Sequence, residues 1–233
     1  MERRRFLAGC ASACVAALAA QNDARALAGR SYPRARLVDV HGEPIKASAL
    51  APRTNYVFSY PYAGTPCFLI DLGRPVRGAS DMRKSDGETY AWQGGSGTHG
   101  SIVAFSAICA HKLAYPTRDV SFIRYQRRRS ATSGGNVIHC CADHSVYDPS
   151  AGARVVSGPA PQPLACIVLE HDPARDELYA VGTAGAEQFA RFFDQYAMKL
   201  TFEYGGVDRA RTPISDTTVL RELTNYCRNT IEC

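Results

Sequence analysis

Two short segments, Cys109-Ala110-His111 and Cys141-Ala142-Asp143-His144, decide how this chain is read. The first ends an apolar run, Ser101-Ile102-Val103-Ala104-Phe105-Ser106-Ala107-Ile108, which reads as a buried strand delivering Cys109 to a loop. The second follows Asn136-Val137-Ile138-His139-Cys140, another short β-prone run. It leads into Ser145-Val146-Tyr147-Asp148-Pro149 and a turn at Ser150-Ala151-Gly152. Cys-x-His followed by Cys-x-x-His is a two-cysteine, two-histidine ligand set offered from two separate loops. Thiolates and imidazoles paired in this way suit a metal centre with two chemically different halves; a zinc site of two Cys and two His is the rival. Gly158-Pro159-Ala160-Pro161 supplies a third loop. Proline lacks the N–H donor and fixes φ, so this stretch cannot be a central strand and is stiff enough to cover the site.

Together these motifs resemble the Rieske protein family, in which two Cys hold one iron of a [2Fe–2S] cluster and two His hold the other. Tyr56-Val57-Phe58-Ser59-Tyr60-Pro61, Thr65-Pro66-Cys67, the run from Ser101 to Cys109 and Ala180-Val181-Gly182 look most similar to the small Rieske subunit of arsenite oxidase. The resemblance spans residues 35–185 and leaves the last stretch of the chain unmatched. It implies an all-β fold, a Rieske-type antiparallel β domain with a cluster-binding subdomain at 101–165. It also implies Cys109 and Cys141 as ligands of an inner iron, and His111 and His144 as ligands of an outer, solvent-facing one.

Three features depart from the family pattern. Residues 112–140, twenty-nine in number, separate His111 from Cys141, more than is usual. The two extra cysteines that often bridge the cluster loops are absent, with Ala114 and Asp143 at those places. The segment after His144 is one residue short, so Ser145 and Tyr147 stand slightly out of register with the family's hydrogen-bonding Ser and Tyr. Alignment backwards from Tyr147-Asp148 makes Cys140 the ligand and puts Asp143 where a histidine belongs. A carboxylate is an unusual partner for this cluster, so Cys141 with His144 is the expected pair and Cys140 the spare.

The chain has 233 residues, enough for one large domain or a domain with extensions. A hydrophobic content of 45% and a mean hydropathy of -0.21 are those of a soluble globular protein. Residues 1–28 read as an export signal: Arg3-Arg4-Arg5-Phe6-Leu7 resembles a twin-arginine motif, and an apolar stretch runs from Phe6 to Ala20. Small residues offer cleavage after Ala19 or Ala28. Such a signal, cleaved or retained as a membrane anchor, implies a periplasmic protein exported already folded. Its loss removes four Arg and two acids and takes the net charge from +5 to +3, too mild to imply nucleic acid. Of nine cysteines, Cys67, Cys140, Cys166, Cys227 and Cys233 lie outside both the signal and the expected ligand set, and sequence does not assign their pairing.

The remaining segments give an outline. Asn55–Tyr60 and Cys67–Leu72 read as strands joined by a Pro/Gly turn, and residues 73–89 as a polar surface loop. Gly95-x-Gly97-x-x-Gly100 matches a dinucleotide fingerprint by letter only, because a strand-like run follows it instead of a helix. Within the insertion, Val120–Ile123 reads as a short strand, followed by a basic knuckle of Arg124, Arg127, Arg128 and Arg129. Leu164–Glu170 and Glu177–Val181 read as a closing hairpin that completes a domain of residues 29–183. Residues 184–233 read as a helical C-terminal extension: Phe189, Phe192, Phe193 and Tyr196 fall at helical spacing, Leu200–Tyr204 as a strand, and Thr217–Cys227 as a further amphipathic helix.

By resemblance, the protein is a one-electron relay. It would pass electrons from a molybdopterin-containing oxidase subunit, of the arsenite-oxidase kind, to a cytochrome c or cupredoxin acceptor. The competing readings are the Rieske subunit of a quinol–cytochrome c reductase and a zinc-stabilised interaction module.

Overall fold

The structure, a computed structural model, describes residues 29–233; the expected export signal at 1–28 lies outside the described residues. Sixteen strands are formed among them: β1 (Arg30–Val38), β2 (Tyr56–Ser59), β3 (Pro66–Asp71), β4 (Arg77–Arg83), β5 (Thr89–Gly94), β6 (Ile102–Ser106), β7 (Val120–Ser121) and β8 (Ile123–Gln126) in the first half. The second half holds β9 (Val137–Cys140), β10 (Ser145–Asp148), β11 (Arg154–Ser157), β12 (Cys166–Asp172), β13 (Glu177–Ala184), β14 (Asp216–Val219), β15 (Arg221–Glu222) and β16 (Asn229–Thr230). Four short helices, α1 (Phe189–Gln195), α2 (Ala197–Tyr204), α3 (Val207–Ala210) and α4 (Leu223–Tyr226), all lie after the last long strand. The all-β reading holds.

Eight strands form the main sheet in the order β14-β1-β13-β12-β6-β3-β2-β15. Its ends approach each other: the Thr218 hydroxyl on β14 donates to the Ser59 carbonyl at the end of β2, 2.8 Å away, so the sheet is nearly a closed barrel. Alternation along the strands sorts two cores. Cys67 and Leu69 of β3, with Ile102 and Ala104 of β6, fill one core with Leu37, Phe58 and Leu178. Their neighbours Phe68, Ile70, Val103 and Phe105 point the other way, onto Ile123, Tyr125, Ile138, Cys140 and Tyr147 of a second sheet. That sheet has the order β11-β10-β9-β8 and occupies most of the expected cluster-binding subdomain. Burial of each of these large apolar side chains stabilises the fold by about 1.5–3 kcal/mol, so β3 and β6 bind the two layers together.

Three local expectations give way. Residues 73–89 contain β4, which pairs with β5 as a hairpin; β4 buries only Met82, so its sequence carries no apolar alternation to read. Leu200–Tyr204 is the second half of α2, with Leu200 buried and Phe202 exposed. Thr217–Cys227 is not one helix: β14 pairs in parallel with the edge of β1, β15 pairs with β2, and α4 has four residues. Pairing with a sheet edge outweighs the weak helical pattern of that stretch. The extension is therefore helical over 189–210 and then returns to the sheets. Its aromatic stripe has a definite partner. Phe189, Phe192, Phe193 and Leu200 pack with Ile108, Leu113 and Tyr115, which flank Cys109 in sequence. The Tyr115 and Phe192 rings meet edge to face at 4.8 Å.

Candidate metal centre

Strand β6 delivers the first loop as its sequence suggests. The loop folds back on itself: the Cys109 amide donates to the Ala114 carbonyl at 2.9 Å, and the Leu113 amide donates to the Cys109 carbonyl at 3.0 Å. Leu113 takes a positive φ of 57° to close this turn, held by its burial in the aromatic cluster under α1. Cys109 is fully buried at the base of the loop, and His111 at its crest keeps 36% of its side chain exposed.

The second loop is the four-residue connection 141–144 of the β9–β10 hairpin, whose last paired residues are Cys140 and Ser145. Side chains on β9 alternate, so Ile138 and Cys140 enter the core while Cys141 leaves the strand on the opposite side. The structure divides the expected ligands between two places. The thiols of Cys109 and Cys140 and a carboxylate oxygen of Asp143 all lie within 4.8 Å of one another. Cys141 is not with them: its sulfur is bonded to that of Cys233 in a disulfide. His144 is exposed, takes a positive φ of 59°, and turns toward His139, the two rings being 5.8 Å apart. Of the four expected ligands, Cys109 and His111 are in the cluster of donors, and Cys141 and His144 are not. Cys140 and Asp143 stand beside Cys109 instead, and they are the pair that the alternative register picks out.

Asp143 joins the two loops. Its Oδ2 lies 2.9 Å from His111 Nδ1 and 3.3 Å from Cys109 Sγ, and its Oδ1 accepts the Ser145 amide at 3.0 Å. Burial pushes the Asp143 carboxyl up, and the Ser145 amide, both thiols and His111 together outweigh it and hold the group below its ordinary value. The Cys109 thiol is also lowered. A hydrogen bond from Cys140 contributes most, against burial, with Tyr147 and the amides of His111 and Lys112 adding to it. Cys140, the donor of that bond, is pushed strongly up. The surroundings of Cys109 thus favour negative charge on its sulfur more than water does.

Tyr147 is the best-defined of those neighbours. It is fully buried, its hydroxyl accepts the Ala110 amide at 3.1 Å, and it stands 3.2 Å from Cys109 Sγ. With its oxygen occupied by the amide, its proton is available to the sulfur. Ser145 is also fully buried, directly across the ladder from Cys140, and its hydroxyl has no partner. Gly158, the first residue of the proline loop, rests on this hairpin at φ 89°. A Cβ there would fall 2.4 Å from the His144 carbonyl oxygen, so glycine is required for the third loop to approach.

Two adjacent thiols in a dry pocket, with a buried carboxylate that leads to a part-exposed imidazole, form a donor set with a soft half and a harder half. Both cysteines are free. Were a [2Fe–2S] cluster bound here, Cys109 and Cys140 would hold one iron and His111 and Asp143 the other. The unpartnered Ser145 hydroxyl and the Tyr147 proton fit it as well, as donors awaiting sulfur acceptors. Sequence reasoning had Asp143 in view and set it aside on ligand chemistry. The signal that recovers it is the spacing back from Tyr147, whose contact with Cys109 fixes the register.

No family model matches the chain. Among solved structures, the chain is similar to the soluble domain of the Rieske protein II (soxF) from Sulfolobus acidocaldarius. The two are 28% identical, the match covers 65% of this chain and 78% of that one, and the TM-score is 0.48. That overlap is partial, and the chemistry of the site stands on its own donors.

Proposed function

We propose that the protein is a Rieske-type [2Fe–2S] electron carrier whose cluster is held by Cys109, Cys140, His111 and Asp143. The observation that supports this reading is the pair of free, buried thiols facing His111 Nδ1 and Asp143 Oδ2 across loops held together by Tyr147. A cluster bound there takes up and releases one electron at a time. The chain's own residues do the rest. The second sheet and the α1 helix keep water from the sulfurs, and Tyr147 and the amides of loop 109–112 stabilise negative charge on them. The side-chain exposure rises from 3% at Asp143 to 36% at His111, so the imidazole edge is the natural exit for the electron.

As partners we propose a molybdopterin-containing oxidase subunit as donor and a cytochrome c or cupredoxin as acceptor, in the periplasm. The motif resemblance to small arsenite-oxidase subunits supports this. The exposed Arg127, Arg128 and Arg129 supply a basic face for one partner.

A second reading has a specific observation in its favour. The two thiols and the carboxylate oxygen lie within 4.8 Å of each other, compact enough for a single tetrahedral zinc. Iron, acid-labile sulfide and zinc measured on the purified chain separate the two. The cluster reading expects about two irons and two sulfides and red-brown protein; stoichiometric zinc in colourless protein favours the second.

A further inference from the structure

A second group of metal-ligating side chains stands on the other side of the β9–β10 hairpin. His139 is fully buried on β9, with its Nδ1 3.5 Å from Cys233 Sγ and its Nε2 without a partner. Potential ligand atoms of His139, His144 and Cys233 all lie within 4.8 Å of one another. The fourth member is Cys141, whose sulfur is bonded to that of Cys233. In this state the group offers two imidazoles and a disulfide, which is a poor ligand.

We propose that reduction of the Cys141–Cys233 disulfide converts this group into a tetrahedral binding site for a divalent zinc-like cation, with Cys141, Cys233, His139 and His144 as its four ligands. A dithiol supplies the two electrons. One of its thiolates attacks a sulfur of the disulfide, the S–S bond breaks, and the second thiol displaces the mixed disulfide. The reductant leaves as a disulfide and the chain keeps two thiols. Binding of the cation then releases the two thiol protons to solvent.

Several features favour that outcome. Zinc–sulfur and zinc–nitrogen bonds of about 2.3 and 2.0–2.1 Å at tetrahedral angles place S and N roughly 3.5 Å apart. That is the His139–Cys233 separation already present. Cys233 is held near by the pairing of β16 with β7, which does not involve the disulfide. Arg124, the cross-strand neighbour of His139, binds Glu232 at 2.8 Å and adds positive charge beside the two thiolates. In the reduced protein the cation would replace the covalent tie between the 141–144 loop and the 229–233 segment by a coordinate one. The site is separate from Cys109, Cys140, His111 and Asp143 and does not rest on the cluster reading.

The test is titration of the full chain with cobalt(II), a spectroscopic stand-in for zinc, before and after treatment with a phosphine. Phosphine and water reduce the disulfide to two thiols and leave phosphine oxide. Phosphine treatment is expected to add one tetrahedral cobalt per chain beyond any metal bound before it, with visible bands that zinc abolishes. Cys233→Ser and His144→Asn should each weaken this uptake by more than about 100-fold, the upper range for losing even an outer-shell partner. Asparagine keeps the positive φ of His144 accessible, so the loop survives that change. Should Cys233→Ser fail to fold, His144→Asn and the comparison of oxidised with reduced wild type still decide. No added cobalt on reduction, or added cobalt that either folded variant retains at full affinity, overturns the proposal.

Discussion

The carboxylate of Asp143 lies 2.9 Å from Nδ1 of His111, and this contact joins the two loops at the outer side of the proposed cluster. In that cluster, an anionic oxygen beside a single imidazole would give the outer iron one more negative charge than two neutral imidazoles. More negative charge favours the oxidised state, so the potential should lie below that of the two-histidine arrangement.

Asp143→His is therefore expected to raise the reduction potential by on the order of 100 mV or more, given the several hundred mV that separate differently ligated clusters. Protein-film voltammetry on both proteins checks it. An unchanged potential with retained cluster would mean that Asp143 does not touch the iron.

Tyr147→Phe removes a buried hydroxyl that accepts the Ala110 amide at 3.1 Å and meets Cys109 Sγ at 3.2 Å. The orphaned buried amide should cost about 1–3 kcal/mol of stability, read from chemical denaturation. Loss of a proton donor to the sulfur should also lower the potential. Stability falling without any change in potential would confine Tyr147 to packing.

Arg127, Arg128 and Arg129 are exposed beside the cleft that Glu232 and Cys233 also line. Arg124, by contrast, is already engaged by Glu232 and only 17% exposed, so it is left out of the steering set. Triple replacement of the other three by Gln should slow association with an acidic redox partner most at low ionic strength, and hardly at all once salt screens the charges. Stopped-flow rates across a salt series report this, and a deficit independent of salt would contradict it.

Away from the site, Asp176 is held down to about 2 from an ordinary 3.8, first by the Ser48 hydroxyl and then by the Ser48 amide and His171, against burial. An aspartate lowered in this way adds stability that is present above its unfolded value and is lost as pH falls through the folded one. Between about pH 4 and pH 2, stability should therefore decline less steeply in Asp176→Asn than in the wild type. Parallel acid titrations of thermal stability for the two proteins would count against this assignment.

The main strands β3, β6, β12 and β13 were legible because they are dense apolar runs, and the aromatic stripe of α1 shows its helical period plainly. Strand β4 was not: six of its seven residues stay partly or fully exposed, so nothing in the sequence alternates. Around the site, the loop that carries Cys109 and His111 was legible as the continuation of the apolar run 101–108. Beyond them, two registers one residue apart compete, and the choice depends on which face of β9 meets the core. Ile138 and Cys140 take that face, and Cys233, ninety-two positions further on, captures Cys141. Spacing back from Tyr147 favours one of the adjacent cysteines, and the contacts of Tyr147 with Cys109 and of Cys141 with Cys233 show how the fold separates them.

The paired variants Cys140→Ser and Cys141→Ser test that choice most directly, through iron and acid-labile sulfide per folded chain under matched expression. The account predicts that Cys140→Ser loses iron and sulfide while Cys141→Ser keeps both. Cys141→Ser should instead lose the disulfide to Cys233, with about 2–4 kcal/mol of stability. A cluster-free Cys141→Ser beside a loaded Cys140→Ser would contradict the assignment and return the ligands to Cys109, His111, Cys141 and His144.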